Sequence, residues 1–333
     1  MFWAFVIPNL SRGAVALDAL GSYLTQHGYG GAQLVPVGKF YHLPVSANGK
    51  PGNLIIDTGS PATLIFRSSV KELGLTESKT TSHVRGAFGP SREFYGTATI
   101  KELKAGNCTL TNVPVAVAPV VSYGGRHANA SGVLGLRELV KFAAILDLSH
   151  HLVYFTSSRP NVQHFEAATW MRTKNGWRLV PPGSELSQMV RSILTEQGWT
   201  PVPFSIAHRH LRIAGAANGA SCYFMLDTGS YLTLLDAAFA KRARIGDAPA
   251  RIAAQGIGRS ATDVRLAIVP AMRIGSYEIK PASATVAVLD SEAIGRGTDS
   301  EVAGLLGIEH LAMNSAIFDF TSRQLYLRPR ANH

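Results

Sequence analysis

The amino-acid sequence predicts a mainly β protein built from two homologous lobes. One pattern occurs twice: an apolar run that ends in Asp-Thr-Gly-Ser stands at residues 54–60 and again at residues 224–230. An apolar run ending in a carboxylate and a glycine predicts a buried strand that enters a tight loop. Matching residues follow both copies in the same order. The 32 glycines and 17 prolines among 333 residues are typical of a β architecture with many loops.

The internal repeat extends well beyond the motif. Asp57 and Asp227 are 170 residues apart. Further pairs match at separations of 170 to 172 residues, so the two halves are copies of one structural unit with small insertions. The matched pairs are Asn48-Gly49 with Asn218-Gly219, Thr63 with Thr233, Leu64 with Leu234, Lys71 with Lys241, Gly86 with Gly256, residues 132–136 with 304–308, residues 145–148 with 317–320, and Tyr154 with Tyr326.

The composition indicates a globular protein with a basic surface. Hydrophobic residues make up 46% and charged residues 16%, which excludes a disordered chain. The net charge is +10, and the basic residues are spread along the chain with local clusters only at 209–212 and 241–244. A spread of this kind favours a solvated surface, and no nucleic-acid partner is expected. An anionic cell surface or an acidic substrate also fits the charge.

The cysteines and the N-terminus give weaker signals. Cys108 and Cys222 occupy non-equivalent positions in the two halves, so we expect free thiols. The apolar start at residues 1–8 is too short to span a bilayer, and no transmembrane segment is expected. It is compatible with the remnant of a secretory signal cleaved near residues 14–16, which favours a secreted or periplasmic location, or with a packed N-terminus.

The first unit is expected to begin with a helix and continue as strands. Residues 14–27 predict a helix that Gly28 ends, and Asn48-Gly49 predicts a hairpin turn before the strand at Leu54. Ser68 predicts the cap of a short helix through Leu73. The remaining elements expected in this unit are strands at 34–37, 41–46, 97–103 and 113–118, a hairpin at 83–89, a segment at 132–136, a helix at 137–142 and two strands around Asp147 and Tyr154.

The second unit is expected to start near Pro201, after a connector that interrupts the repeat. The connector, residues 156–200, carries an amphipathic helix predicted from Ser184 to Gln197. In the second unit we expect a short helix over 236–244 and a hairpin over 255–259. The predicted division is an N-terminal segment at 1–33, a lobe at 34–156, a connector at 157–200 and a lobe at 201–333.

These motifs resemble those of the aspartic protease family. A duplicated Asp-Thr-Gly-Ser, each copy followed by a glycine-bearing hairpin and an apolar-apolar-Gly segment, covers roughly residues 35–156 and 201–328. Two motifs in one chain look like pepsin-type enzymes. The short repeats, Gly-Ile-Gly at 256–258 and Leu-Leu-Gly at 305–307 are more similar to retropepsins, above all to bacterial retropepsin-like aspartyl proteases with a fused internal duplication. The resemblance implies a bilobal acid-protease fold with a pseudo-two-fold axis and few short helices.

The resemblance implies that Asp57 and Asp227 form a catalytic dyad. Peptide hydrolysis needs a water made nucleophilic and a leaving nitrogen that receives a proton. Two carboxyl groups held close together share one proton, so one can act as the base and the other as the acid. No cofactor or metal is expected, and the implied partner is a polypeptide bound in extended form by a monomer. The pepsin-type flap tyrosine has no evident counterpart.

Further residues receive roles by the same resemblance. The threonines of the two motifs would brace the loops across the axis, the glycines would let backbone amides reach the acids, and the serines would hydrogen-bond the outer carboxylate oxygens. Two hairpins would close over the substrate. The dyad-supporting residues are Thr58, Gly59, Ser60, Thr228, Gly229 and Ser230, and the flap residues are Gly86, Ala87, Phe88, Gly256, Ile257 and Gly258.

Other polar residues are given simpler interpretations, and alternative functions stay open. Asp147 and Asp319 also repeat, but we interpret them as turn or ion-pair residues. His208 and His210 are interpreted as surface histidines, because no nearby carboxylate or cysteine completes a metal site. The leading hypothesis is an aspartic endopeptidase. The alternatives are a non-catalytic peptide-binding module on the same fold, and a site completed by two chains.

Overall fold

The computed structural model describes residues 19–82, 85–86, 89–90, 95–118, 129–156, 170–173, 176–179, 184–256, 259–281, 284–289 and 302–330. Within these residues the chain is mainly β with short helices, which confirms the predicted fold class. The helices are α1 (Ala19–Gln26), α2 (Leu136–Lys141), α3 (Glu185–Glu196), α4 (Ala237–Arg242) and α5 (Ile308–Met313), with a 3-10 turn at Arg67–Ser69.

The strands follow the duplication that the sequence predicts. Those before α3 are β1 (Tyr29–Gln33), β2 (Val35–Val37), β3 (Phe40–Ala47), β4 (Lys50–Asp57), β5 (Leu64–Phe66), β6 (Ser78–Ser82), β7 (Arg85–Gly86), β8 (Gly89–Pro90), β9 (Tyr95–Ala105), β10 (Cys108–Ala118), β11 (Gly132–Gly135), β12 (Ile145–Asp147), β13 (Leu152–Thr156), β14 (Trp170–Thr173) and β15 (Gly176–Leu179). Those after α3 are β16 (Thr200–Ala207), β17 (His210–Ala217), β18 (Ala220–Asp227), β19 (Leu234–Asp236), β20 (Asp247–Gly256), β21 (Arg259–Val269), β22 (Met272–Ile274), β23 (Tyr277–Glu278), β24 (Ala284–Leu289), β25 (Val302–Gly307), β26 (Ile317–Asp319) and β27 (Gln324–Leu327).

The N-terminal lobe is a closed, barrel-like sheet. Its order is β3-β4-β11-β5-β10-β9, and β9 pairs back onto β3, so the ring of strands closes. Strand β11 runs parallel to β4 and places Gly135 opposite Asp57. The interior of the ring is filled by buried aliphatic residues such as Leu54, Ile56 and Leu134. The first acid therefore stands at the end of a strand that is held on both sides.

The C-terminal lobe repeats this arrangement. Strand β18 carries Asp227 and lies between β17 and β25. Strand β25 runs parallel to β18 and places Gly307 opposite Asp227. Strand β22 pairs with β17 much as β9 pairs with β3. The two acids thus occupy equivalent places in two similar lobes.

A shared sheet joins the lobes and carries their symmetry. Its order is β1-β13-β12-β26-β27-β16. At its centre β12 and β26 are antiparallel, with Leu146 opposite Phe318 and with Ile145 opposite Asp319. The central pair joins equivalent residues, and the two flanking pairs, Ile145 with Asp319 and Asp147 with Ile317, are related by symmetry. A two-fold axis between the two strands produces this pattern.

The repeat begins earlier in the chain than the sequence analysis places it. Helix α3 lies in the predicted connector, yet it packs beside α1 against the same face of the shared sheet. Residues 170 apart match between the two helices, and Gly28 and Gly198 both end their helix with positive φ, 83° and 87°. The matched residues are Leu20 with Val190, Ser22 with Ser192, Leu24 with Leu194, Thr25 with Thr195 and Gly28 with Gly198. The match therefore extends the repeated unit back to α1 in the first half and to α3 in the second half. The domain bounds given in the sequence analysis stay a prediction.

One predicted helix is wrong, and a missing cap explains it. The segment expected to be a helix from Ser68 through Leu73 is a 3-10 turn followed by further turns. In the second lobe Asp236 caps α4 by accepting a hydrogen bond from the N–H of Phe239 at 2.9 Å. The equivalent position in the first lobe is Phe66, which has no side-chain acceptor. Without the cap the first turns of the helix are less favourable.

Several other expectations are met by the described residues. Asp147 and Asp319 each accept hydrogen bonds from two backbone N–H groups of the turn that follows them. Cys108 and Cys222 are buried free thiols.

Residues 14–18 of the predicted first helix lie outside the described residues. None of the helices in the described part of the chain has the length and apolar character that a membrane span needs.

Truncating either of two matched leucines should destabilise the protein to a similar degree. Leu24 and Leu194 are 0% and 1% exposed in one apolar cluster with the shared sheet. We expect Leu24→Ala and Leu194→Ala each to lower the free energy of unfolding by about 2–5 kcal/mol. Denaturant unfolding measures this. Met189→Ala, at a position 42% exposed on α3, is the control and should change stability by less than about 0.5 kcal/mol. A Leu24→Ala variant as stable as the wild type would show that α1 is not packed.

Candidate active site

Each acid is held at the end of its strand by its own loop. Oδ1 of Asp57 accepts hydrogen bonds from the backbone N–H groups of Gly59 and Ser60, both at 2.9 Å. Oδ1 of Asp227 accepts the equivalent bonds from Gly229 at 2.9 Å and Ser230 at 3.1 Å. Two amide donors on one oxygen fix the orientation of each carboxyl group and favour its charged form.

The two acids face each other across the lobe boundary. A Cβ atom placed on Gly59 would lie 2.3 Å from Cγ of Asp227, and a Cβ placed on Gly229 would lie 2.3 Å from Cγ of Asp57. Each carboxyl group therefore rests on the glycine of the opposite loop. The carboxyl groups also hydrogen-bond to each other. Any side chain at either glycine would push the acids apart.

Burial and mutual repulsion make the pair hard to ionise fully. Asp57 is 4% exposed and Asp227 is half-buried. Burial of the carboxyl group is the main cause that raises the pKa of Asp227 well above its usual range, and the negative charge of Asp57 raises it further. Amide hydrogen bonds from Gly229 and Ser230 oppose this shift. Two acids in this arrangement titrate as a unit and hold one proton between them over a wide pH range.

The motif threonines cross-link the two loops. The N–H of Thr58 donates to Oγ1 of Thr228 at 3.0 Å, and the N–H of Thr228 donates to Oγ1 of Thr58 at 3.0 Å. Each hydroxyl in turn donates to a carbonyl of the opposite strand, that of Leu226 at 2.9 Å or Ile56 at 2.8 Å. Four buried hydrogen bonds thereby hold the loops in one relative position.

The motif serines contact the acids through the backbone. Their amides bind the carboxylates, as described above, whereas the hydroxyls are directed away from them. Oγ of Ser60 donates to the carbonyl of Ala62 at 2.8 Å, and Oγ of Ser230 donates to that of Leu232 at 2.9 Å. The resemblance implied that these hydroxyls bind the outer carboxylate oxygens. In the structure they instead hydrogen-bond to backbone carbonyls of their own turn.

Buried polar residues behind the loops were not identified from the sequence. Thr63 and Thr233 accept hydrogen bonds from the N–H groups of Gly135 and Gly307, both at 3.1 Å. Their other partners come from α2 and α5 and differ between the lobes. The occurrence of threonine at the matched positions 63 and 233 was the sequence signal that could have identified these residues. Their role depends on contacts with residues some 75 positions away, so the repeat did not reveal it.

Two hairpin tips reach across to the opposite lobe. His210, at the start of β17, is half-buried and its ring hydrogen-bonds to the backbone of Gly59. Burial lowers the pKa of His210 despite this bond. In the first lobe, Nζ of Lys39 lies 4.0 Å from the ring centre of Tyr231. His208 is exposed as expected, but His210 is not a surface histidine, because the lobes meet at its position.

The predicted flap residues are only partly described. Gly86 pairs with Gly89 in a hairpin of β7 and β8, and Gly256 pairs with Arg259 in the hairpin of β20 and β21. Hairpins thus occur at both predicted places. Ala87, Phe88, Ile257 and Gly258 lie outside the described residues. In the described part of the chain, no group of three or more His, Cys, Asp or Glu side chains is arranged to hold a metal ion.

Comparisons with known proteins agree with the duplication. The model of a family described as aspartyl protease matches the chain twice, over residues 43–137 and over residues 213–310. Each matched region contains one Asp-Thr-Gly-Ser, and together they span more than half of the chain. Among solved structures, an aspartic proteinase from Irpex lacteus matches with 14% identity and a TM-score of 0.47, over 91% of this chain and 98% of that chain. A comparison with curated protein sequences gives no match.

Replacing one acid by its amide should alter how stability depends on pH. In the folded protein the pKa of Asp227 lies well above that of an ordinary aspartate, mainly because the carboxyl group is buried. The folded state therefore holds a proton that the unfolded state releases, and stability falls as the pH rises above about 4. We expect the difference in melting temperature between Asp227→Asn and the wild type to become more favourable to the variant from pH 4 to pH 7. Asp57→Asn should behave similarly, because removing either acid ends the repulsion. A difference from the wild type that stays constant with pH would contradict the coupled pair.

Proposed function

Because the chain belongs to the aspartyl protease family, we propose that it is an endopeptidase in which Asp57 and Asp227 activate a water molecule between them. The family is established by a match to both halves of the chain. The observation that carries the catalytic assignment is the reciprocal contact of the acids, each carboxyl group lying against the glycine of the opposite loop. Two acids that share one proton supply both the base and the acid that peptide hydrolysis needs.

The proposed reaction proceeds by general acid–base catalysis. The ionised carboxylate takes a proton from the water while the water oxygen attacks the carbonyl carbon of the peptide. The protonated carboxyl group donates its proton to the carbonyl oxygen, which gives a neutral tetrahedral diol. When the diol collapses, the C–N bond breaks and the leaving nitrogen receives a proton from the dyad. One diol hydroxyl then gives its proton to the dyad as the new carboxyl group forms. No covalent enzyme intermediate is formed, and the dyad ends with the one proton it began with.

Substrate binding is proposed to use the two glycine hairpins. An extended polypeptide would lie over the dyad and pair its backbone with the hairpins that contain Gly86 and Gly256. Closure of the hairpins would exclude bulk water from the acids. By the resemblance, Ala87, Phe88, Ile257 and Gly258 would also contact the substrate. The retropepsin-like subgroup, with its fused duplication, remains part of this proposal, as does a secreted or periplasmic location.

Replacing either acid by its amide should abolish hydrolysis while the fold is retained. We expect Asp57→Asn and Asp227→Asn each to lower kcat/KM by about 10²–10⁴-fold or more, because the base or the acid is lost. Cleavage of an internally quenched peptide library, followed by mass spectrometry, measures the activity, and circular dichroism checks the fold.

The matched control is Asp236→Asn, since asparagine caps a helix as well as aspartate does. This variant should keep wild-type activity. Inhibition of the wild type by a statine-type aspartic protease inhibitor supports the same assignment. Full turnover in either dyad variant would refute the mechanism. A wild type that binds library peptides without cleaving them would instead indicate a non-catalytic peptide-binding module.

A single chain should suffice for activity. Both proposed acids come from one chain, and hydrogen bonds between Thr58 and Thr228 join their loops, so the complete site would lie within a monomer. We expect light scattering to give a mass near 35.6 kDa and specific activity to stay constant on dilution. A specific activity that falls with dilution as a larger species dissociates would show that two chains form the site.

A further inference from the structure

The threonine behind each acid fixes the strand that runs beside that acid. Thr63 and Thr233 are both 0% exposed. Their hydroxyl oxygens accept hydrogen bonds from the backbone N–H groups of Gly135 and Gly307. These glycines lie opposite Asp57 and Asp227 in the parallel strand pairs. The position of each acid therefore depends on how the threonine hydroxyl is oriented. What orients the hydroxyl differs between the lobes.

In the N-terminal lobe a single carboxylate holds the threonine. Glu138 on α2 has a side chain that is 0% exposed. Its Oε2 accepts the N–H of Thr63 at 3.3 Å and also the hydroxyl of Thr63 in a short hydrogen bond. Its Oε1 lies 2.6 Å from Nε of Arg137. A buried carboxylate that accepts from three donors, one of which is a cation, is a strong acceptor.

In the C-terminal lobe two residues divide the same task. The N–H of Thr233 faces Oε1 of Glu309 at 3.4 Å, and its hydroxyl lies 2.8 Å from Nδ1 of His310. A buried hydroxyl proton needs an acceptor, and Nδ1 of His310 lies within reach of the Thr233 hydroxyl, whose oxygen accepts from Gly307. With Nδ1 as this acceptor, the ring is neutral and carries its own proton on Nε2. Burial lowers the pKa of His310 to about 4, which keeps the ring neutral near pH 7.

We infer that Glu138 and His310 are positioning residues of the proposed active site, each accepting the hydroxyl proton of the threonine that aligns one acid. They occupy equivalent places, 172 residues apart, on α2 and α5. The Asp57 side is supported by an ion-paired carboxylate, and the Asp227 side by a neutral, titratable ring. The inference rests on the proposed function for its catalytic meaning, but the hydrogen-bond network can be tested without activity.

Acid should disturb the support that depends on His310. Protonation would turn Nδ1 into a donor, and the hydroxyl proton of Thr233 would lose its acceptor. The charged group facing the ring is Glu309, whose Oε1 lies 3.4 Å from Nδ1. Burial raises the pKa of Glu309, and the N–H of Thr233 and the charge of Lys39, on the hairpin of the opposite lobe, oppose this shift. Because protonation of the ring removes the acceptor of the Thr233 hydroxyl, the strand behind Asp227 should loosen as the pH approaches 4.

The first test measures hydrogen exchange at the amides of Gly307 and Gly135 in the full-length protein. His310→Leu removes the acceptor, and His310→Gln keeps one that does not titrate. We expect His310→Leu to speed exchange at Gly307 roughly tenfold, as for the loss of one buried hydrogen bond, with Gly135 unchanged. His310→Gln should stay within about threefold of the wild type. Glu138→Leu and Glu138→Gln test the other lobe in the same way. There the leucine variant should speed exchange at Gly135 and leave Gly307 unchanged. A folded His310→Leu with unchanged exchange at Gly307 overturns the inference.

A pH series keeps the inference testable if the leucine variants fail to fold. In the wild type, protection at Gly307 should fall between pH 5 and pH 3.5 after correction for intrinsic exchange rates. In His310→Gln it should not. Equal loss of protection in both proteins would overturn the role of His310.

Kinetics then connect the network to catalysis. We expect His310→Leu to lower kcat by about 10–100-fold with KM within about threefold, because a displaced acid reacts slowly but still binds substrate. His310→Gln should restore most of kcat. Altered exchange with unchanged kcat would show that the network is structural only. If the wild type cleaves no peptide, the proposed function fails, and the exchange experiments still decide the hydrogen-bond assignment.

Discussion

The structure depends on the close approach of two carboxyl groups from opposite lobes. Placing two acids together in a buried site is costly, and the cost falls only when they share a proton and accept hydrogen bonds. Gly59 and Gly229 make the approach sterically possible, since a Cβ at either position would overlap the opposing acid. The loops, the shared sheet and the strands behind them all serve to hold this unfavourable pair in place.

The supports are arranged in layers about the axis. Thr58 and Thr228 connect the loops directly through four buried hydrogen bonds. Farther out, the central β12–β26 pair of the shared sheet relates the lobes by the same two-fold pattern. Helices α1 and α3 cover one face of that sheet. Rigid elements on both sides thus position the acids, which is what a site requiring precise alignment needs.

Around the two acids the symmetry holds in the backbone but not in the polar side chains behind them. Thr63 and Thr233 make the same bond to a glycine amide, yet Arg137 and Glu138 in one lobe are replaced by Glu309 and His310 in the other. Duplication preserves the backbone because strand register allows little change. A buried side chain can change provided its new partners satisfy the same donors. The two acids therefore have different electrostatic surroundings despite equivalent positions.

The sequence by itself determined the duplicated β fold and the loops that carry Asp57 and Asp227, because strand periodicity, glycine turns and a repeat are local signals. The same reasoning missed the match between α1 and α3, although Leu24 and Leu194 were 170 residues apart, and it predicted a helix at Ser68 where Phe66 provides no cap. Only the tertiary structure decided that the acids rest on each other's glycines, that His210 contacts Gly59, and that Glu138 and His310 hold the threonines. These contacts join residues far apart in the chain, and their partners are selected by packing between the lobes and against the helices, which local sequence patterns do not encode.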